Sequence, residues 1–368
     1  MSRVGIVGGG QLARMLALAG VPLDIRCTVL DPSPDACATQ VTSSIVGAYD
    51  DPTALATLAG VSDVVTYEFE NVPVVAVRSL ERTIRVAPSP DALETSQDRL
   101  AEKALFERVG LPTAAFAQVD SLDDLVIALQ RIGTPAVLKT RRLGYDGNGQ
   151  AIVNDPVLAE DAWRSVGEVP SILEGLVDFD REVSIVAVRG EDGDTRVYPL
   201  SHNEHRGGIL RVTRAPASGV EPATREAAER LVGSVMADLG YIGVIAIELF
   251  QVGERLLGNE LAPRVHNSAH WTIEGAETSQ FENHLRAVTR LPLGSTEALG
   301  HSAMVNLIGS IPDPASVAAI PGAHLHLYGK QPRPRRKLGH VTVRADDEPM
   351  LERALLQVEG LVDDANHE

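Results

Sequence analysis

The chain predicts a mixed fold, with an α/β N-terminal part, an α+β central part and a small β-rich C-terminal part. Three observations carry this. The first ninety or so residues alternate short apolar runs with helical stretches, the signature of a parallel sheet with crossover helices. From about Pro112 onward, short runs rich in Val and Ile mix with longer helical stretches. After Gly300 three apolar runs, AMVNLIG, LHLYGK and GHVTVRA, follow one another between Pro and Gly.

Taken in order, VGIV at residues 4–7, CTVLD at 27–31 and residues 63–67 predict strands, and residues 11–19 predict a helix. The proline-rich APSP at 87–90 breaks the pattern and precedes a charged helical stretch over 93–109. Strands are expected at 136–139, 171–174, 182–188 and 242–250, with a helix over 224–239. The expected units are 1–92, 93–295 and 296–368, ending in a short polar tail from Asp363.

Bulk properties narrow the function classes. In a chain of 368 residues, 33 Lys and Arg face 50 Asp and Glu, a net charge of −17 that argues against a general nucleic-acid or anionic-membrane binder. No apolar run approaches the roughly 20 residues of a membrane span. The opening MSRVGIVGGG reads as strand and turn rather than an export signal, so a cytoplasmic protein is expected. Cys27 and Cys37 are too few for a disulfide framework and are expected to be structural thiols. Lysine is confined to Lys103, Lys139, Lys330 and Lys337.

Lys139 ends the apolar run Ala136, Val137, Leu138 and leads into a loop carrying Gly144, Gly147 and Gly149. A strand end holds a lysine rigidly, and glycines let the following backbone bend over an anion and present N–H groups to it. The arrangement suits a polyphosphate under a closing loop. It is not a Walker A loop, because the lysine precedes the glycines and no Gly-Lys-Ser/Thr follows. A competing signal lies at the N-terminus. Gly8, Gly10 and Ala13 fit G-x-G-x-x-A after a strand, and Asp31 closes the next one, so an NAD-dependent oxidoreductase is the alternative reading.

The stretch IAIELFQVGERLLGNELAPR predicts a hairpin turning near Gly253, with Glu248 and Glu260 on opposite arms. A two-residue loop alone would send Glu260 to the other face, whereas a longer loop or a bulge would set it opposite Glu248. In the second case their Cβ atoms stand about 4.5–5.5 Å apart. Two carboxylates that close repel unless a cation lies between them, and Mg²⁺ with phosphate oxygens is the natural occupant.

Lys139, the loop Gly144, Tyr145, Asp146, Gly147, Asn148, Gly149 and Gln150, the stretch Glu174, Gly175, Leu176 and Val177, Glu182, and Glu248 with Asn259 and Glu260 together resemble the ATP-grasp superfamily. GGGQLARM, TYEFENV, QDRLAEK, NELAPRVHNSAHWT and RKLGHVT, in that order along nearly the whole chain, more narrowly resemble the N5-carboxyaminoimidazole ribonucleotide synthetases. The resemblance implies an ATP-grasp fold with a Rossmann-like N-terminal domain and a small β-rich C-terminal domain. It implies a ligase of purine biosynthesis joining 5-aminoimidazole ribonucleotide and bicarbonate, by way of carboxyphosphate, at the expense of ATP with Mg²⁺.

Carried over by motif, Arg99 and Lys139 would contact ATP phosphates beneath the glycine loop. Glu174 to Val177 would meet adenine through the backbone, Glu182 the ribose, and His205 and Asn259 the nucleotide. Glu248 and Glu260 would hold Mg²⁺. Arg264, Tyr145, Asp146 and His266 would serve the chemistry, with Arg264 gripping bicarbonate or carboxyphosphate by its guanidinium fork. Asn267 and Ser268 would contact the ribonucleotide, Glu68 rather than Glu70 its aminoimidazole, and Lys337 and Arg344 its phosphate. A homodimer and a functional link to the mutase acting on the product are also implied. Asn148 stands where the family has a basic residue and Ala269 where it has glycine, a strained substitution if φ is positive there.

Overall fold

The computed structural model describes residues 2–144 and 149–367. Strands β1 (Arg3–Val7), β2 (Arg26–Asp31), β3 (Ser43–Val46) and β4 (Val64–Tyr67) form a parallel sheet in the order β3-β2-β1-β4. Strand β1 and its neighbour β4 are almost wholly buried, as a sheet covered on both faces requires. Helices α1 (Gln11–Gly20), α2 (Pro52–Gly60) and α3 (Val74–Glu81) supply the covers.

The glycine turn between β1 and α1 overturns the dinucleotide reading. The N–H of Gly9 donates to Asp31 Oδ2 at 2.8 Å, and those of Gly10 and Ala13 donate to Glu68 Oε1 and Oε2 at 2.6 and 2.9 Å. These are the donors a pyrophosphate would need at a helix N-terminus, and internal carboxylates already hold them. Asp31, the expected ribose acid, also accepts from Tyr49 Oη at 2.9 Å. No NAD-dependent oxidoreductase is supported.

The charged stretch expected as one helix is two, α4 (Pro90–Gln97) and α5 (Arg99–Arg108). Asp98 between them is extended at φ −126°, ψ 112°, and its carboxylate caps α5 by accepting from Leu100 N at 3.0 Å. The same carboxylate takes Arg141 and Arg142 at 2.6 and 3.1 Å, tying α5 to the start of the glycine loop.

An antiparallel sheet follows in the order β5-β8-β6-β7, from β5 (Phe116–Val119), β6 (Ala136–Thr140), β7 (Gln150–Val153) and β8 (Ser171–Gly175). Helices α6 (Leu122–Ile132) and α7 (Ala159–Ser165) close one apolar core with it. β6 and β7 pair antiparallel from Ala136↔Val153 to Lys139↔Gln150, which sets Lys139 and Gln150 side by side at the strand ends. Tyr145, Asp146, Gly147 and Asn148 lie outside the described residues.

The rest builds a nine-stranded sheet among the described residues. Its strands are β9 (Arg181–Arg189), β10 (Thr195–Val197), β11 (Ser201–Arg206), β12 (Ile209–Ala215), β13 (Gly243–Val252), β14 (Arg255–Ala262), β15 (His301–Ile308), β16 (Ala323–Leu327) and β17 (Lys337–Ala345). The order is β14-β13-β9-β11-β12-β15-β17-β16, with β10 on β9. The three C-terminal strands therefore extend the central sheet through β12 and β15, where Val212 faces Val305. Helix α8 (Pro222–Asp238) covers β9 and β14 on one side. After β14, α9 (Thr272–Gly275) and α10 (Gln280–Val288) pack the sheet against α1, and α11 (Pro314–Ala318) and α12 (Glu348–His367) cover the C-terminal strands. One core joins Leu16 of α1, Val244 of β13, Trp271 and Leu285 of α10, which fixes the N-terminal sheet against the large one. No helix among the described residues is long and apolar enough to cross a membrane.

Candidate active site

A cleft of about 700 Å³ opens where the three sheets meet. Its walls come from every part of the chain: Glu68 and Glu70 after β4, Lys139 and Gln150 on the hairpin β6-β7, Glu182 on β9, Glu248 on β13, Glu260 on β14, and Lys337 on β17.

The metal-binding geometry turns on one residue. The β13-β14 hairpin has a two-residue loop, with Val252 paired to Arg255. Left alone, that register would put Glu248 opposite Asn259. A bulge between Leu249↔Gly258 and Glu248↔Glu260 absorbs Asn259 and brings the two glutamates face to face. Helix α5 grips this bulge from behind. Lys103, with no exposed surface, donates to the carbonyls of Gly258 and Asn259 at 3.3 and 3.0 Å, and Glu102 accepts from Leu261 N. Burial, reinforced by Glu260 and Glu182 against the opposing pull of His205, pushes Glu248 up to about 7. A carboxylate pair so poorly compensated fits a divalent cation. Arg99 approaches Glu260 at 3.6 Å.

Glu174, expected to meet the nucleotide through its backbone, has its side chain buried behind the cleft. It takes Lys139 Nζ at 2.9 Å and Lys103 Nζ at 3.5 Å. Although burial opposes ionisation, the two lysines hold it at about 2. Beyond it, the N–H groups of Gly175 and Leu176 already donate to the carbonyls of Ala115 and Pro135. Leu176 lines the cleft, whereas Gly175 and Val177 are not among its lining residues. Leu176, Ile152 and Phe179 are exposed hydrophobics that gather in the cleft, and Phe179 stacks on Phe250 with ring centroids 4.8 Å apart. Sequence reasoning missed this apolar wall; the few aromatic residues in the chain were the available signal.

At the other end, Arg264 forms an ion pair with Glu70. Burial pushes Glu70 up, but the guanidinium outweighs it and holds the group below the usual carboxylate range. Glu70 is thus the acid facing Arg264. Glu68, chosen for the aminoimidazole, lines the cleft but commits both carboxylate oxygens to the backbone of α1. Gln97 secures the loop between β4 and α3 by donating to the carbonyls of Glu70 and Val72 at 2.8 and 2.7 Å.

His205 pairs with Glu182, and this contact with the nearby Glu248 outweighs burial and raises its pKa. His266 lies with Nε2 3.6 Å from Glu248 Oε1. Burial first, then Arg264 and Lys337, hold it well below the usual imidazole range. Asn267 lines the cleft and exchanges hydrogen bonds with Asn306. Ser268 does not reach the cleft. It is fully buried against His266. Ala269 has no positive φ, so alanine fits the turn.

Arg344 is a correction. It lies at the far end of β17 from Lys337, about 23 Å along an extended strand of seven steps. There it pairs with Asp346 at 2.7 Å and donates to the Leu299 carbonyl at 2.7 Å. It cannot share a phosphate with Lys337.

Comparison with known proteins agrees with this architecture. Family models match residues 1–97 as a ribonucleotide synthetase preATP-grasp domain, 104–281 as an ATP-grasp domain, and 302–354 as a phosphoribosylaminoimidazole carboxylase C-terminal domain. An N5-carboxyaminoimidazole ribonucleotide synthase of Pseudomonas aeruginosa is 51% identical over 98% of this chain and 99% of its own length. The crystal structure of the N5-carboxyaminoimidazole ribonucleotide synthetase of Thermus thermophilus superposes with a TM-score of 0.94 at 55% identity, covering 97% of this chain and 98% of that one. A synthase of Aspergillus clavatus, solved with ADP and 5-aminoimidazole ribonucleotide, gives 0.92 at 30% identity over 98% of both chains. With an ATP-grasp core between these two flanking domains, the chain belongs to the N5-carboxyaminoimidazole ribonucleotide synthase family.

Proposed function

We propose that this enzyme carboxylates 5-aminoimidazole ribonucleotide to N5-carboxyaminoimidazole ribonucleotide, consuming ATP and bicarbonate by way of carboxyphosphate, in purine biosynthesis. The observation that carries the reading is the convergence of Lys139, the opposed Glu248 and Glu260, and Arg264 in one cleft. The family relatives support it.

ATP lies with adenine against Leu176, Ile152 and Phe179, its ribose toward Glu182 and its phosphates between Lys139 and Arg99. Glu248 and Glu260 hold Mg²⁺, which when bound offsets charge on the transferred phosphoryl group. Arg264 grips bicarbonate with two N–H donors. Bicarbonate attacks the terminal phosphorus to give carboxyphosphate and ADP. The ribonucleotide, with its phosphate toward Lys337, then presents its amine. The new N–C bond forms as the carboxyl carbon loses phosphate, and the amine proton leaves with the phosphate. Walls from three sheets limit water, which would otherwise hydrolyse the intermediate. The expected units 1–92, 93–295 and 296–368, a homodimer, and a product passed to a mutase complete the reading.

ADP release from MgATP tests it. Turnover is expected to require the ribonucleotide, to rise with bicarbonate and to vanish in Lys139→Ala. ADP formation indifferent to the ribonucleotide would remove the acceptor assignment.

A further inference from the structure

Behind His266 runs a line of buried polar side chains that the proposed chemistry leaves unused. Thr213 Oγ1 donates to Asn203 Oδ1 at 3.0 Å, and Asn203 Nδ2 donates to Ser184 Oγ at 3.0 Å. Ser184 Oγ donates to Ser268 Oγ at 2.7 Å, and Ser268 Oγ stands 2.8 Å from His266 Nδ1. None of the four supporting residues is more than 3% exposed. Ser184, Asn203 and Thr213 sit on the adjacent strands β9, β11 and β12, with Asn203 directly opposite Thr213.

The chain has a direction. A carbonyl oxygen only accepts and an amide nitrogen only donates, so Thr213 orients the Asn203 amide and the amide orients both serines toward the imidazole. One donor is fixed independently of any rotor. The backbone N–H of Ser268 points at His266 Nδ1 at 3.3 Å, and a peptide N–H cannot be reversed. This long contact only biases Nδ1 toward accepting; the Ser268 hydroxyl at 2.8 Å, aimed by the side-chain line, makes Nδ1 the bare acceptor nitrogen. Its other nitrogen, Nε2, faces Glu248 at 3.6 Å.

We propose that Thr213, Asn203, Ser184 and Ser268 are positioning residues that lock His266 as the Nε2–H tautomer, making it a neutral N–H donor to anionic oxygens in the cleft. In that state Nε2 has no lone pair for a metal or a proton. His266 steadies phosphate or carboxyphosphate oxygen alongside Arg264 and does not act as a base. That last role rests on the proposed function, whereas the tautomer does not.

Nitrogen-15 spectra of histidine-labelled enzyme, assigned by His266→Asn, test the lock directly. The expected pattern for His266 is a deshielded, unprotonated Nδ1 and a protonated Nε2. A protonated Nδ1, or averaged shifts, would overturn the proposal whatever the enzyme's activity. Asn203→Asp reverses the chain, because a carboxylate cannot donate to Ser184. His266 is then expected to shift toward Nδ1–H, and kcat to fall roughly ten- to a hundredfold with little change in KM for MgATP. Should that variant not fold, Thr213→Val keeps the side-chain shape but frees the amide to turn. It is expected to mix the tautomers and lower kcat, with Thr213→Ser restoring both. Lowered kcat with an unchanged His266 tautomer in Thr213→Val would reduce the line to packing alone and overturn the proposal.

Discussion

Glu174 holds two lysines with different tasks: Lys139, which faces the cleft, and Lys103, which grips the bulge behind it. Removing its charge leaves both cations near a neutral amide. Breaking a buried pair in this way costs about 3–5 kcal/mol, so Glu174→Gln is expected to lower the urea midpoint accordingly. The same carboxylate sets an acid limit. Its folded pKa of about 2 lies below the ordinary 4.5, so its contribution is present above about 4.5 and lost as pH falls toward 2. Stability measured across that window should fall in the native enzyme, with a shallower fall in Glu174→Gln. An equally steep fall would assign the acid limit to other carboxylates. Lys139 itself is legible from its strand end, but the family motif assigns Glu174 only a backbone contact with adenine and gives its carboxylate no role. The motif places Glu174 in the right strand; only the fold shows that its side chain points to the lysines.

At the scale of the element, the β13-β14 hairpin shows how much can depend on one extra residue. Its alternation gives two candidate registers, and a one-residue slip moves every side chain to the opposite face. The bulge at Asn259 selects the register that opposes the glutamates, and Lys103 holds the two carbonyls at that bulge. Lys103→Met retains an apolar stem of similar length without the donors. It is expected to raise the Mg²⁺ concentration needed for half-maximal turnover by roughly ten- to a hundredfold, measured by titrating Mg²⁺ at saturating substrates. An unchanged titration would mean that the hairpin keeps its bulge unaided. The split of the expected long helix into α4 and α5 follows the same logic, because Asp98 meets Arg141 and Arg142 only in the folded chain.

Across the whole molecule, β17 runs from the cleft at Lys337 to the opposite edge at Arg344. Lys337→Ala is expected to raise KM for the ribonucleotide at least tenfold, whereas Arg344→Ala should leave it within about twofold, a difference of more than ~1 kcal/mol by the affinity relation. Equal effects in steady-state kinetics would return Arg344 to the phosphate. The cleft itself is a product of assembly: the core joining Leu16, Val244, Trp271 and Leu285 sets the loop carrying Glu70 against Arg264, some 190 positions along the chain.

The sequence by itself determined the mixed α/β and α+β plan, the strand-end lysine, the candidate carboxylate pair and the family blocks, because each is written in local period, spacing or composition. Tertiary structure alone decided three matters. It filled the N-terminal glycine turn with Asp31 and Glu68 carboxylates, removing the dinucleotide reading. It chose the hairpin register through the bulge, and it carried Arg344 away from Lys337. The physical reason is shared. Turn donors, strand register and the reach of a side chain are settled by partners distant in sequence, and no local pattern encodes which distant group arrives.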